Sequence, residues 1–361
     1  MKGKTDSMSK YYDGTKLLSL SDINGEKPEI YMCTTNRTGG KTTYFSKLLV
    51  NRFRKYGEKF MLISRFSYEM SDIADKFFKD IQGLFFKDYI MTAKRKADGV
   101  YYELFLCKEW ENPDTDGKSC GYAVDLNHAD SIKKFSHLFS DVARMFMDEF
   151  QSETNHYCTD EIKKLQSIHA SVARGKGEQV RYVPLYMCAN PVSLINPYYV
   201  VMGITTRLNN DTRFLRGDGW VLEQGFNESA CEAQKQSGFN RAFANSAYTA
   251  YASEAVYLND NSAFIDKPKG KSNYLCTIKY NNCEYGLREF QEEGIIYCDD
   301  HPDTTYKNKL CVTTADHNVN YVMLKRNDLF VSNMRYYFER GCFRFKDLRC
   351  KEAILKTIAY Y

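Results

Sequence analysis

The segment Glu29–Tyr56 constrains this chain most, because it joins an apolar strand, a glycine-containing loop and an amphipathic helix. Glu29–Thr34 has the pattern of a buried strand, and Lys41–Tyr56 carries apolar residues at helical spacing. The loop between them ends in Gly40-Lys41-Thr42. In a phosphate-binding loop (P-loop), backbone N–H groups and the lysine hold phosphates and the Ser/Thr hydroxyl binds Mg²⁺. The segment therefore predicts a site for ATP and Mg²⁺.

The predicted nucleotide-binding residues all belong to this loop and the start of its helix: Asn36, Arg37, Thr38, Gly39, Gly40, Lys41, Thr42 and Thr43. Thr35 stands where the strict GxxxxGK[ST] pattern has its first glycine. Two other triplets, Gly117-Lys118-Ser119 and Gly270-Lys271-Ser272, follow no apolar strand, so we interpret both as solvated loops. For Gly40-Lys41-Thr42 taken alone, an ordinary strand–helix turn is the alternative interpretation.

A second motif is an apolar run, Ala143–Met147, that ends in Asp148-Glu149. P-loop ATPases of the ASCE class place such a strand beside the P-loop strand. Asp148 is then predicted to hold Mg²⁺ through its water shell, and Glu149 to orient and deprotonate the attacking water. A lone Asp–Glu pair is more often a surface pair. Its position at the end of a strand that follows a P-loop favours the catalytic interpretation.

Three further residues complete the predicted γ-phosphate site. Asn190 follows the predicted strand Val183–Ala189, where its amide can sense the phosphate or the water. Arg174 ends the preceding helix and can reach a neighbouring subunit's phosphate as an arginine finger. Arg37 lies inside the P-loop and can touch the γ-phosphate in cis. The alternative for either arginine is a plain surface charge.

The alternation of strand and helix patterns through the first two-thirds of the chain predicts an α/β domain with a mainly parallel sheet. After Gly219 the pattern changes to a helical stretch, a polar linker and a small second α/β module. We therefore predict an ATPase domain at 1–227, a helical linker or lid domain at 228–260 and a C-terminal domain at 261–361.

The charge is nearly balanced, because the chain has 50 Lys and Arg residues and 46 Asp and Glu residues, which give a net charge of +4. This excludes a strongly basic tail protein, so nucleic-acid binding must come from local clusters. The tip of a predicted hairpin supplies one cluster, and its candidate DNA-binding residues are Lys94, Arg95 and Lys96. A solvated basic loop is the alternative.

The polar N-terminal segment Met1–Asp13 does not resemble a signal peptide, and no apolar run reaches the roughly 18 residues of a membrane helix. We therefore expect a cytoplasmic protein with no membrane partner. In a reducing compartment its 12 cysteines are expected to be free thiols, packed as small apolar side chains. No CxxC pair is present, so a zinc site is not expected.

Taken together, these motifs resemble those of the DNA-packaging motor ATPases of phi29-like tailed phages, encapsidation proteins that are related to the large terminase ATPase subunits. The resemblance spans nearly the full length with patchy identity. It is carried by the P-loop with its internal arginine, and by Asn51–Phe60, Met147–Phe150, the most specific segment Asn190–Tyr199, and Thr313–Asp316.

The resemblance implies an ASCE ATPase domain, a short helical linker domain and a degenerate RNase H-like C-terminal domain. Lys41 and Thr42 match the Walker A pair, and Asp148 and Glu149 match Walker B and the catalytic glutamate. The trans-acting finger is matched by Arg174, and the polar sensor by Asn190. Lys133 or Lys134 lies near a second basic residue that acts across the subunit interface in this family.

The implied function is that of a viral motor in which ATP hydrolysis drives double-stranded DNA into a prohead. The implied partners are DNA, further copies of the chain in a pentameric ring, and the portal or connector of the prohead; a packaging RNA is left open. The implied location is the host cytoplasm, with transient attachment to the prohead. The tail offers no clear metal-binding carboxylate set, so nuclease activity is not expected.

The chain departs from the family pattern at Thr35 and at Cys188, where terminases often carry Ser or Thr. Two other functions stay open at this stage. One is a non-motor P-loop NTPase or kinase, and the other is a non-enzymatic, capsid-associated scaffold protein with an inactive P-loop.

Overall fold

A computed structural model describes residues 11–154, 156–175, 177–193, 196–205, 207–208, 212–243, 263–325 and 328–358. The chain divides into two compact units, each made of non-contiguous stretches. The first unit comprises 1–150, 163–191 and 208–256, and the second comprises 151–162, 192–207 and 257–361. The domain boundaries expected from the sequence stay predictions, and residues 244–260 of the expected linker lie outside the described residues.

The first unit is built on a nine-stranded sheet. Its strands are β1 (Ile30–Thr34), β2 (Lys59–Ser64), β3 (Tyr89–Lys96), β4 (Tyr101–Lys108), β5 (Lys118–Asp125), β6 (Val142–Met147), β7 (Leu185–Ala189), β8 (Phe214–Gly217) and β9 (Trp220–Gln224). They lie in the order β3-β4-β5-β2-β6-β7-β1-β9-β8. The six strands from β5 to β9 in that order are parallel, while β3, β4 and β8 pair in antiparallel fashion. The predicted mainly parallel α/β fold is therefore confirmed.

The described helices of the first unit connect these strands or follow them: α1 (Thr15–Leu18), α2 (Lys41–Tyr56), α3 (Ile73–Phe85), α4 (Ala129–Ile132), most of α5 (Glu161–Val172), α7 (Glu228–Gln236) and α8 (Gly238–Ala242). Short 3-10 segments occur at Ser67–Met70, Ala97–Gly99, Leu126–His128 and Lys133–Phe139.

Helix α2 is anchored on the sheet by aromatic packing. The fully buried ring of Phe45 stacks on Tyr186 of β7 and Phe146 of β6, with centroid distances of 5.3 and 6.2 Å. Burial of a side chain of this size stabilises by roughly 1.5–3 kcal/mol. The helix ends at Gly57, whose φ of 69° lets its N–H reach the carbonyl of Phe53. The helix that begins at the P-loop is therefore held against the two strands that carry the other site residues.

The order of strands corrects one expectation. We expected β6, which ends before Asp148, to lie beside the P-loop strand β1, but β7 lies between them. Each residue of β7 is buried, and the strand pairs in parallel with both neighbours. Neighbouring strands lie about 4.8 Å apart, so the ends of β1 and β6 are separated by about 10 Å.

The sequence expectation for Gly117-Lys118-Ser119 is also wrong. Lys118 opens β5, which pairs with β4 and β2 and places buried Cys120 and Val124 in the core. Burial of Cys120 and Val124 stabilises β5, so the strand forms even though it begins with the polar residues Lys118 and Ser119.

The second unit is built on a six-stranded sheet with the order β14-β13-β10-β11-β12-β15. Strands β10, β11 and β12 form an antiparallel meander, and β13 and β14 add in parallel beside β10. This is the strand order of an RNase H-like sheet, as predicted. The elements are β10 (Asn273–Tyr280), β11 (Cys283–Phe290), β12 (Ile295–Asp299), β13 (Lys309–Cys311), β14 (Val322–Met323), β15 (Phe343–Phe345), α6 (Pro197–Val201), α9 (Leu329–Glu339) and α10 (Leu348–Thr357).

Helical patterning alone predicts a helix over 321–338, but Val322 and Met323 instead pair with β13 as β14. Helix α9 starts at Leu329, where the Asp328 carboxylate accepts a hydrogen bond from the Phe330 N–H. Asp299, at the end of β12, is bound by Arg288 and lies 4.0 Å from the Lys267 Nζ.

All twelve cysteines are free thiols, and ten of them are buried as expected of small apolar side chains, whereas Cys283 is exposed and Cys342 is half-buried. Over the described ranges, no helix combines the length and apolarity needed to span a membrane. The same ranges contain no group of three or more His, Cys, Asp or Glu side chains arranged to hold a metal ion.

Candidate functional site

The P-loop turns sharply between β1 and α2. Gly40 caps α2 with a φ of 90°, and Thr38 has a φ of 59°. Both values lie in the left-handed region, which glycine adopts without strain. The Gly40 carbonyl accepts a hydrogen bond from the Tyr44 N–H at 2.9 Å, which opens the first helical turn. A P-loop followed directly by a helix N-terminus is a favourable site for an anion.

The ends of three adjacent strands place the predicted site residues together. Lys41 Nζ donates to the Asn190 amide oxygen at 2.7 Å, so the P-loop after β1 contacts the residue that follows β7. The Thr42 side chain contacts the Asp148 carboxyl, which follows β6. Lys41 is almost fully buried. The structure therefore brings Lys41, Thr42, Asp148 and Asn190 to one edge of the sheet.

Burial sets the electrostatics of this cluster. It raises the pKa of the Asp148 carboxyl, and the charge of Lys41 and the Thr42 hydrogen bond offset that rise in part. Burial also raises the pKa of the Cys33 thiol to about 12 and holds the pKa of Cys188 well above its ordinary value. The two thiols therefore stay neutral at physiological pH.

Glu149 lies beside this cluster with an exposed side chain and a left-handed backbone, with a φ of 53°. The buried guanidinium of Arg65 donates to the main-chain carbonyls of Glu149 and Phe150, at 3.3 and 3.0 Å. Glu69 accepts the Arg65 N–H in turn. These contacts fix the backbone on which the Glu149 carboxylate is carried.

Two clefts flank Thr42, which lines both. The first, of about 520 Å³, is lined by six of the predicted nucleotide-binding residues, Thr38 to Thr43, and by Tyr11, Tyr12, Tyr44, Lys47, Leu84 and Phe85. The second, of about 440 Å³, is lined by Asp148, Glu149, Arg65 and Glu69 among others. Both volumes fall in the range of about 300–1,000 Å³ that is common for small-molecule sites.

Tyr11 and Tyr12 are site residues that sequence reasoning missed. The Tyr12 N–H donates to the Gly39 carbonyl at 2.7 Å, and its hydroxyl donates to Glu223 at 2.7 Å. Burial raises the pKa of the Glu223 carboxyl. These contacts tie the segment before α1 to the P-loop and to β9. A Tyr-Tyr pair in a polar N-terminal segment carries no local signal for such a role.

Asn36, Arg37 and Arg174 do not share the first cleft. The Asn36 side chain is fully buried and bonds to Asn227. Arg37 is half-buried within the loop. Arg174 follows α5 and donates to the Ser136 hydroxyl. Nearby, Arg181 bonds to the carbonyl of Val142, the first residue of β6.

Arg174 therefore lies at the opposite end of the strand from Asp148. Arg181 joins this region to β6, because its main-chain N–H donates to the Ala173 carbonyl. The five residue steps from Val142 to Met147 extend roughly 17 Å at about 3.3 Å per residue. The predicted finger is thus remote from the phosphate loop of its own chain.

The three candidate DNA-binding residues lie on edge strand β3 rather than in its turn. Lys94 pairs with Asp114 at 3.1 Å, and Lys96 lies 3.8 Å from Glu103. The Arg95 guanidinium donates to the Asp98 carbonyl. DNA binding by these residues stays a prediction, and it would have to compete with these contacts.

Thr35 fills the space that the usual first glycine of the P-loop leaves open. Its Oγ1 donates to the Asn36 carbonyl at 3.0 Å. A Cβ on Gly39 would lie 2.9 Å from Thr35 Oγ1, and a Cβ on Gly225 would lie 2.9 Å from Thr35 Cγ2. Since Gly225 has no other close neighbour, the threonine methyl alone requires glycine there.

This contact predicts a rescue. Gly225→Ala is expected to cost about 1–3 kcal/mol of folding free energy by overpacking. Thr35→Ser keeps Oγ and removes the methyl, so the double variant is expected to recover most of that loss. Urea denaturation of the single and double variants measures this. Gly83→Ala, an exchange in open space, is the matched control. Equal losses with and without Thr35→Ser would contradict the steric argument.

Comparison with known proteins was made on sequence and on structure. The family model described as Podovirus DNA encapsidation protein (Gp16) matches residues 6–359. The "DNA packaging protein" of Bacillus phage phi29 is 25% identical over 356 residues, which are 98% of this chain and 96% of that protein. The "DNA packaging protein" of Bacillus phage B103 is 25% identical over 327 residues, 89% of this chain and 92% of that protein.

Similar folds occur in solved structures. The chain in the bacteriophage Phi-29 viral genome packaging motor assembly aligns with a TM-score of 0.52 and 24% identity, covering 98% of both chains. The Phi-28 gp11 DNA packaging motor aligns with a TM-score of 0.54 and 14% identity, covering 96% of this chain and 98% of that one. The likeness extends over both units of the chain.

Proposed function

The chain belongs to the family of podovirus DNA encapsidation proteins and is a DNA-packaging ATPase, and we propose that ATP hydrolysis at its P-loop drives double-stranded DNA into a prohead. The observation that carries this proposal is the contact of Lys41 with Asn190 and of Thr42 with Asp148 across three parallel strand ends. This is the arrangement that an ASCE ATPase needs around a γ-phosphate.

The residues take distinct roles in this proposal. The Tyr11, Tyr44 and Phe85 rings line the cleft and would hold the base, while the loop from Thr38 to Thr43 and the Lys41 ammonium hold the phosphates. Lys41 must turn from Asn190 toward the γ-phosphate when ATP arrives. Asn190 is thereby released to contact the phosphate or the water, which makes it a sensor of occupancy.

Glu149 is the proposed general base, because its exposed carboxylate borders the second cleft, on the other side of Thr42. It would take a proton from the attacking water while Lys41 stabilises the charge that develops on the phosphate. The Thr42 hydroxyl and the Asp148 carboxylate are oxygen donors in mutual contact, a donor set that suits Mg²⁺. When bound there, Mg²⁺ would neutralise charge on the phosphate oxygens.

Arg174 is proposed to complete the site of a neighbouring subunit. Its position by the start of β6 supports a role in trans, since it is remote from the P-loop of its own chain. Arg37 is the proposed cis contact of the γ-phosphate. A trans finger requires a ring, and we propose a pentamer that assembles in the host cytoplasm at the portal vertex of the prohead.

The experiment that tests this function measures ATP hydrolysis with and without double-stranded DNA. We expect DNA to stimulate hydrolysis, and Lys41→Ala to lower it by a factor of roughly 10² or more through the loss of phosphate contacts. Lys271→Ala, in the exposed Gly270-Lys271-Ser272 triplet, is the matched control and should hydrolyse at the parent rate.

The outcomes separate the alternatives. Hydrolysis that depends on Lys41 but ignores DNA would identify a non-motor NTPase. A parent chain that binds no nucleotide, or binds it equally well after Lys41→Ala, would favour a capsid-associated scaffold protein.

A further inference from the structure

A pair of buried asparagines joins the P-loop to helix α7. The Asn36 side-chain amide donates to the Asn227 carbonyl at 3.0 Å, and its oxygen accepts the Asn227 N–H at 2.9 Å. Asn36 is fully buried, and Asn227 is 8% exposed. The amide of Asn36 thus pairs with a main-chain unit in the way that a neighbouring strand would. The pairing fixes both the distance and the orientation of the two segments.

The oxygen and the nitrogen of the Asn227 side chain both form hydrogen bonds as well. Its oxygen accepts the Ala230 N–H at 2.8 Å, which caps α7, and its nitrogen donates to the Gly39 carbonyl at 3.4 Å. One residue therefore caps the helix and holds a carbonyl of the phosphate loop. A buried polar group that loses its partner is costly, so these contacts are expected to move together.

Further hydrogen bonds join the P-loop to a later turn of α7, and α7 to α8. The Gln234 amide, two turns further on, donates to the Thr38 hydroxyl at 3.3 Å. The Asn240 amide of α8 donates to the Gln234 carbonyl at 2.9 Å. Thr38 and Gly40 are the loop residues with left-handed backbones. A change in the backbone of the loop therefore reaches α7 through Asn227 and Gln234, and α8 through Asn240.

We infer that Asn36 and Asn227 are positioning residues that link the phosphate occupancy of the P-loop to the position of α7 and α8. The inference rests on the proposed function, since it takes ATP as the ligand of the loop. An anion in the loop fixes the peptide groups that α7 holds, so ATP orders α7, and an ordered α7 strengthens ATP binding by the same factor. Removal of the asparagine pair is expected to weaken both the ordering of α7 by ATP and the strengthening of ATP binding by α7.

The test uses the full chain with Glu149→Gln, so that ATP is bound but hardly turned over. Hydrogen exchange of peptides covering 225–243 and 35–44 is measured with and without ATP, together with ATP affinity by calorimetry. We expect ATP to slow exchange in both peptides at least tenfold in this parent. With Asn36→Leu, we expect about tenfold weaker ATP binding and, at saturating ATP, protection of 35–44 only.

Two variants and one control separate coupling from stability. Asn227→Ala removes the cap and should behave like Asn36→Leu, whereas Asn227→Ser restores a neutral cap and should restore most of the ATP-dependent protection of 225–243. Asp328→Ala removes the cap of α9 and should lower stability without changing exchange at 225–243. If Asn36→Leu does not fold, Gln234→Ala provides the same comparison, with the side-chain contacts of Gln234 to Thr38 and Asn240 removed.

ATP-dependent protection of 225–243 that is equal in the parent, Asn36→Leu and Asn227→Ala would overturn the inference. So would ATP binding to the parent with no change at 225–243. A parent that binds no ATP at all would instead refute the proposed function, and the inference with it.

Discussion

Glu149→Gln is expected to lower the rate of ATP hydrolysis by a factor of roughly 10²–10⁴, the contribution of a general base. The amide keeps the size of the carboxylate and one acceptor oxygen, but its nitrogen donates hydrogen bonds and it cannot take a proton from water. ATP affinity should stay within a few-fold of the parent, because Lys41 and the loop make the phosphate contacts. Steady-state hydrolysis and ATP calorimetry on the same preparation measure the two quantities.

The geometry around Glu149 makes this prediction specific. Arg65 holds the carbonyls of residues 149 and 150, so the exchange removes the carboxylate charge without releasing its backbone. Glu109→Gln, a change at an exposed position, is the matched control. Hydrolysis by Glu149→Gln at the parent rate would remove Glu149 from the catalytic role.

Arg174→Ala should lower hydrolysis by roughly 10³-fold or more, as expected for loss of an arginine finger. Mixing these subunits with Glu149→Gln subunits should restore activity if, as we propose, each site takes Glu149 from one subunit and Arg174 from its neighbour. In a random equal mixture, about one quarter of the interfaces of a head-to-tail ring contain both residues. The hydrolysis rate of the mixture, measured against mixing ratio, should therefore pass through a maximum.

Arg349→Ala, which breaks an exposed pair with Asp347, is the control for loss of a surface arginine and should neither lower activity nor change the mixing curve. A mixture that is inactive at every ratio would count against a finger in trans. An Arg174→Ala variant with parent activity would show that Arg174 has no role in ATP hydrolysis.

The local parts of the site could be predicted from the sequence. The P-loop and the Asp148-Glu149 pair are recognisable because each is a short motif at the end of an apolar run, and α2 has the bounds that its pattern predicts. The resemblance added the roles of Arg174 and Asn190, which stay predictions. The sheet order adds that β7 separates β1 from β6.

What the sequence did not reveal depends on contacts between distant segments. Asn227 reads as an ordinary cap of α7, and only the fold shows that it also binds Asn36, 191 positions away. Tyr12 and Arg65 are similar cases, because burial and hydrogen bonds to distant carbonyls define their roles. The hairpin β8–β9 was missed because only its pairing with β1 makes its short strands visible.

The position of β3 has a consequence for the behaviour of the protein in concentrated solution. Among the residues that the structure describes, β3 is the last strand on its side of the nine-stranded sheet, and one row of its N–H and C=O groups has no neighbouring strand there. Such an edge is a template for β-pairing between molecules, and charged side chains oppose that pairing. Lys94, Arg95 and Lys96 stand on this edge. These three cations therefore oppose aggregation of the protein through this edge, whatever else they bind.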